Sequence, residues 1–287
     1  MEPMYPIRTR SYILRSHVKN SPTLRIVKRA TKSPNTSDPY VSGGLAILIL
    51  FWLSAFSAGG TSIVVIRTPS DVSMAADSVG TFGHETRVVC KVHSAQGVFL
   101  AIAGIDNDLV TKFNVAKVVF KSIQSRKTFI GKMSAAITAL KSALRSEALV
   151  LKNTRPTDFA NLIDPEKGDL SIILFGMESG TPVAIAQSFH VSENSNGTIT
   201  VVLTKTARCP GKDCPNGFYT FELGKHEAID NFAATHSGAH LGNPADAARM
   251  FVQLEIDAHA DGVGPPIDLL RVSASGLELI KHKEGCP

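Results

Sequence analysis

The 287-residue chain lacks an apolar run of bilayer length. Its longest uncharged apolar stretch, Leu45 to Ala58 (LAILILFWLSAFSA), holds about 14 residues. A spanning helix needs about 20, while the apolar core of a signal peptide needs only about 7–15. Cysteine is scarce as well, with four residues at positions 90, 209, 214 and 286. A lone C-x4-C without a second pair makes a poor structural zinc site. Excess charge is missing from residues 61–287, which carry 22 Lys and Arg against 23 Asp and Glu. The whole-chain charge of +5 therefore belongs to the extension before residue 61, and the domain gives no reason to invoke nucleic acid. No internal repeat and no low-complexity tract occurs.

The extension contains most of the compartment information. Residues 1–42 hold eight Lys and Arg against only Glu2 and Asp38, with prolines at 3, 6, 22, 34 and 39. Residues 1–43 therefore read as a disordered basic leader, and 44–60 as a signal-peptide or anchor segment with a positive flank. Ala58 and Gly60 are the small residues that signal peptidase requires at −3 and −1 for a cut before Thr61. Export to the periplasm or the extracellular space follows, and a short uncleaved membrane anchor is the competing reading. Any membrane contact would run through 45–58 alone. Cys209-Pro-Gly-Lys-Asp-Cys214 closes a small loop around a Pro-Gly turn, which suits a disulfide outside the cytoplasm. Cys90 reads as a buried free thiol and Cys286 as a tail residue. The sequon Asn196-Gly197-Thr198 matters only in a host that glycosylates secreted proteins.

Residues 61–287 are one domain's worth of chain, long enough for a full core. Strands are predicted at Ser62–Ile66 and Val72–Asp77 about a Thr68–Asp71 turn, with a second hairpin from Thr86–Val92 and Val98–Ala103. Helices follow over Asp108–Ser125 and Phe129–Leu151, the latter from Ile130, Met133, Ile137, Leu140 and Leu144 at helical spacing. Strands return at Leu170–Phe175, Pro182–Phe189, Ile199–Lys205 and Phe218–Leu223. Pro244 opens a helix over Ala245–His259, and Ile267–Val272 with Leu277–Ile280 makes a closing hairpin. Segregated blocks of strands and helices indicate a layered α+β fold rather than a parallel α/β sheet.

The chemistry centres on Gly59-Gly60-Thr61-Ser62-Ile63. A cut after Gly60 makes Thr61 an N-terminus, whose hydroxyl is a nucleophile and whose α-amine, with a pKa of about 8, can serve as its base. The alternative is that Gly-Gly merely ends the apolar stretch. A hairpin turning at 69–70 sets Thr61 opposite Ser78, beside Asp77. Lys91 lies in an apolar run between Val89 and Val92. It is either a surface lysine on an edge strand or a buried ammonium that tunes the Thr61 hydroxyl and is compensated by Asp77.

Together, Gly60-Thr61-Ser62-Ile63-Val64-Val65, Ala75-Ala76-Asp77-Ser78, Cys90-Lys91-Val92 and Ala101-Ile102-Ala103-Gly104 resemble the proteasome β-subunit superfamily of N-terminal-nucleophile hydrolases. Order and spacing agree, with two or three residues missing between Gly83 and Gly104. The likeness is strongest over 60–104 and thin over 160–245. It implies a four-layer αββα sandwich, with Thr61 as nucleophile and base, Asp77 and Lys91 as its tuning pair, and the Gly104 N–H as oxyanion donor. A further Asp expected after the last helix is matched best by Asp261, with Asp257 as the other candidate. The family's Gly-Ser-Gly-Ser loop appears as Gly224-Lys225-His226-Glu227, so a cation stands where a serine assists the α-amine. By the same resemblance Ile102 floors the specificity pocket, with Asp106 and Asp108 on the adjoining loop. Histidines 226, 236, 240 and 259 read as surface or loop residues, because Gly238 breaks the helical spacing of His236 and His240. No metal and no cofactor is expected.

These features describe an exported threonine amidohydrolase acting on peptides through an acyl-enzyme on Thr61. A small-molecule amidase of the same fold is a second reading, and a non-catalytic membrane-tethered module a third. The partner is a peptide or amide substrate; assembly into a homo-oligomer is compatible with the sequence but not specified by it.

Overall fold

The computed structural model describes residues 60–281, apart from 83–84, 109, 165–169, 213, 215–217 and 237–241. The described residues all fall within one compact unit. The leader over 1–43 and the apolar segment over 44–60, Gly60 excepted, lie outside them. Among the described residues no helix is long and apolar enough to cross a membrane.

The fold is mixed α+β and its strand pairs are antiparallel. The first half supplies β1 (Ser62–Arg67), β2 (Asp71–Ala76), β3 (Val79–Phe82), β4 (Glu85–Val88), β5 (Val92–Ala95), β6 (Val98–Ala103), β7 (Asn107–Asp108) and β8 (Phe113–Asn114). Helices α1 (Val115–Ile123), α2 (Phe129–Thr154) and α3 (Pro156–Ile163) follow. Then come β9 (Leu170–Glu178), β10 (Thr181–Glu193), β11 (Ile199–Cys209), β12 (Tyr219–Gly224), α4 (Glu227–Thr235), α5 (Pro244–Asp257), β13 (Asp268–Ser273) and β14 (Gly276–Lys281). One five-stranded sheet has the order β12-β1-β2-β13-β14 and another β11-β10-β9-β6-β5, while β3-β4 and β7-β8 are small separate hairpins.

Three apolar cores explain why so many strands read as unbroken hydrophobic runs. Val98, Leu100 and Ile102 of β6 pack with Val119, Leu140 and Leu144 of the first helices. The alternate residues of the same strand, Phe99, Ala101 and Ala103, join Ile63, Val65 and Met74 of the other sheet. Val64, Ile66 and Ala75 turn the opposite way, onto Ala248, Phe251 and Val252 of α5 and Ile229 of α4. A strand buried on both faces has no polar side, so alternation vanishes from its sequence. All six residues of β1, β2 and β6 are buried.

Several expected boundaries change. The predicted Thr86–Val92 strand is divided, because β4 pairs with β3 and only Val92 onward pairs with β6. The first helix starts at Val115 rather than Asp108, where the Asn114 side chain caps it by accepting from the Lys117 N–H at 2.7 Å. Helices α3 and α4 have no counterpart in the sequence reading. Cys209 and Cys214 form the expected disulfide. Cys90 is disulfide-bonded too, against its reading as a free thiol.

Candidate active site

The site is built on the β1–β2 hairpin. Its register pairs Ile63 with Ala76, which carries Thr61 opposite Ser78 as the turn position requires. The Asp77 N–H donates to the Ser62 carbonyl at 3.0 Å, extending the ladder one residue beyond β2. The Asp77 side chain is fully buried, and four donors satisfy its two oxygens. Oδ1 accepts from the Ser62 N–H at 2.8 Å and from the Lys91 ammonium at 2.6 Å. Oδ2 accepts from the N–H groups of Val79 at 3.1 Å and Gly264 at 3.2 Å. A charge withdrawn from water is tolerable only with such complete pairing.

Lys91 precedes β5 and is 4% exposed. Its ammonium also donates to the Gly60 carbonyl at 3.4 Å, across the peptide that joins Gly60 to Thr61. The surface alternative for this lysine is thereby excluded.

The backbone around Thr61 is confined on three sides. The Lys225 N–H donates to the Thr61 carbonyl at 2.6 Å. Gly224 has φ +81°, and a Cβ there would meet the Thr61 oxygen at 1.8 Å, so only glycine fits. A Cβ at Gly60 would stand 1.6 Å from the Asp261 carbonyl oxygen. The segment from Ala258 to Gly264 thus wraps the Gly60 side, and its Gly264 carbonyl accepts from the Ser78 N–H at 3.0 Å.

Of the five residues singled out in the sequence, Asp77 and Lys91 pair directly, and they meet the residues on either side of Thr61. Asp261 reaches the site by its backbone, beside Gly60, while its side chain is exposed. Asp257 ends α5 and accepts from the Gln253 side chain at 2.8 Å, exposed to solvent. Gly104 follows β6 as an exposed residue with φ +97°. It is tied to the pair through Ile102, whose N–H donates to the Lys91 carbonyl at 3.3 Å. The sequence reading missed Gly264 as a partner of Asp77; 187 residues separate them, and no local signal joins them.

Of the two loop carboxylates, Asp108 faces the helices and pairs with Arg155. Asp106 accepts from the Asn107 side chain at 2.7 Å. It also attracts the proton of His93 on β5; burial outweighs that attraction and holds this imidazole below the ordinary histidine range. Among the described residues its buried Nε2 has no hydrogen-bond partner. Glu222, His226 and Asp230 bring one ligand atom each to within 4.8 Å of one another at the start of α4. The His226 Nδ1 and Asp230 carboxylate are 2.9 Å apart.

No family model and no curated protein matches the chain. Among solved structures, Thiobacillus denitrificans BPH in complex with epoxomicin is similar to it at 14% identity, covering 74% of this chain and 98% of that one, with a TM-score of 0.39.

Proposed function

We propose that the protein is an exported threonine amidohydrolase, a peptidase whose active form begins at Thr61. One observation carries this reading: the buried Lys91–Asp77 pair lies against both the Gly60 carbonyl and the Ser62 N–H, flanking Thr61. Taking two charges out of water is costly, so a fully hydrogen-bonded pair built at this point of the chain supports a role in tuning Thr61. The order of the three cores supports a four-layer αββα sandwich, helices over sheet over sheet over helices. The Cys209–Cys214 disulfide supports export.

In the active form the Thr61 α-amine takes the proton of the Thr61 hydroxyl, and Oγ attacks the substrate carbonyl carbon. The Lys91 ammonium favours the developing alkoxide, and Asp77 pairs with that ammonium and fixes its position. The Gly104 N–H receives the oxyanion. Collapse breaks the C–N bond, and the leaving amine departs with the proton held by the α-amine. Water, deprotonated by the same amine, then hydrolyses the ester and releases the acid. The Asp261 carbonyl oxygen, which stands beside Gly60 before the cut, is left near the α-amine end of the mature chain.

Intact-mass analysis of the exported protein and turnover of short peptide amides test this together. The expected result is a mature species beginning at Thr61, no turnover for Thr61→Ala, and measurable turnover for Thr61→Ser. A mature species that keeps Leu45–Ala58, or a Thr61→Ala variant equal to wild type, overturns the reading.

A further inference from the structure

Gly104 is exposed just after β6, with φ +97°. The chain beyond it is held in a way that catalysis by the residues described above does not explain. Asn107 pairs with Asn114 and Asp108 with Phe113 in the β7–β8 hairpin. The Val115 N–H donates to the Asp106 carbonyl at 2.8 Å, which closes the hairpin onto the start of α1. Ile105 packs against the helix-side core.

Two side-chain ties then fasten this hairpin to α2 and to its elbow with α3. The Arg155 guanidinium donates through Nη2 to Asp108 Oδ2, and Nη1 lies 3.2 Å from Asp158. The Thr111 hydroxyl donates to Glu147 Oε1 at 2.9 Å, and Glu147 is 6% exposed. Asp108 Oδ1 accepts from the N–H groups of Val110 at 2.8 Å and Thr111 at 3.2 Å, so the carboxylate locks its own turn while gripping the elbow. Arg155 caps α2 at one end and opens α3 at the other, and its N–H donates to Leu151. A residue fixed by two helices is a rigid post for a loop.

The charges suit this task. Burial raises the Asp108 carboxyl, but the Arg155 hydrogen bond and the Thr111 and Val110 N–H groups outweigh it, and the net position is below the ordinary aspartate range. Burial raises Glu147, against its hydrogen bond from Thr111 and with the help of the Asp108 charge. Burial raises the Asp158 carboxyl too, against the Arg155 charge and with the help of the Asp108 charge.

We propose that Arg155 and Asp108 are positioning residues, a clamp that sets the Gly104 N–H where a developing oxyanion needs it. This rests on the threonine amidohydrolase reading for its catalytic half; the mechanical half stands on the clamp alone. A donor displaced by about 1 Å can cost about 10²-fold in rate. Because that contact strengthens in the transition state, the loss should appear in kcat rather than KM.

The test uses the mature protein, a fluorogenic tripeptide amide and backbone hydrogen exchange. Arg155→Met and Asp108→Asn should each lower kcat about tenfold or more with KM within about threefold. Amides of residues 104–108 and 110–114 should exchange faster, with α2 unchanged. Arg155→Lys, which keeps a cation, should recover part of kcat. Lys152→Met, which breaks the neighbouring Lys152–Glu193 pair at 2.7 Å, should leave kcat as in wild type. Unchanged exchange at 104–114 in Arg155→Met overturns the clamp, whatever the activity. Faster exchange with unaltered kcat overturns its positioning role, as does an equal loss in Lys152→Met. Absence of Thr61-dependent turnover in the wild type overturns the parent function instead, and the exchange measurement still judges the clamp.

Discussion

Asp77 and Lys91 contribute unequally, although they form one ion pair. Removing Lys91 leaves a buried carboxylate that still accepts from three backbone N–H groups. Removing Asp77 leaves a buried ammonium and also strips Ser62, Val79 and Gly264 of their acceptor. Breaking one side of such a pair costs about 3–5 kcal/mol, and each orphaned donor adds about 1–3 kcal/mol. Asp77→Ala should therefore destabilise the domain more than Lys91→Ala in denaturant titration. The double variant should fall short of the summed losses by about 1–3 kcal/mol, since the two act together. Equal single-variant losses that add fully would refute this account. Turnover should fall by orders of magnitude in all three variants. The Thr61–Asp77 arrangement was legible in the sequence because a tight hairpin fixes pairing from turn position alone. Gly264 was not, because it arrives from the far end of the chain and contributes only a backbone N–H, which any residue possesses.

At the scale of elements, α4 shows how a helix can begin without announcing itself. Its cap residue His226 makes no side-chain capping bond. Glu255 on α5 does so from across the layer, accepting from the Ala228 N–H at 2.7 Å and the Ile229 N–H at 3.0 Å. The carboxylate is 1% exposed and stands at the positive end of the α4 dipole. Glu255→Ala should cost about 1–3 kcal/mol and speed amide exchange in α4 before α5. Glu255→Gln, which keeps an acceptor oxygen, should cost less; equal losses for the two would show that volume, not capping, matters. The same physics misdirected the start of the first helix. Asp108 bonds the N–H groups of Val110 and Thr111 as a cap would, but those bonds close a turn. The helix waits for Asn114. In the Thr86–Val92 run the apolar pattern persists while the pairing partner changes, a switch that composition does not record.

For the whole molecule, fold class was readable from the segregation of strand and helix blocks, whereas the unbroken apolar runs marked strands without revealing that both faces are covered. The second disulfide was not, since Cys90 sits alone in its segment with nothing nearby to suggest a bond. Among the described residues every cysteine is disulfide-bonded, so alkylation of the protein without reductant should leave Cys90, Cys209 and Cys214 unmodified, and alkylation after reduction should label all three. Free thiols at these positions before reduction would contradict the pairing and weaken the proposed export. A severed chain end usually frays, because nothing lies beyond it to hold the last residues in place. An end created by the proposed cut after Gly60 would be different. It would lie one residue before β1, a strand with neighbours on both sides, β2 and β12. The Ser62 carbonyl is bonded by Asp77 and the Thr61 carbonyl by Lys225. None of these bonds involves the leader. The cut would therefore expose a chemical group without loosening its mount, and a terminus held this way needs no refolding before it can act.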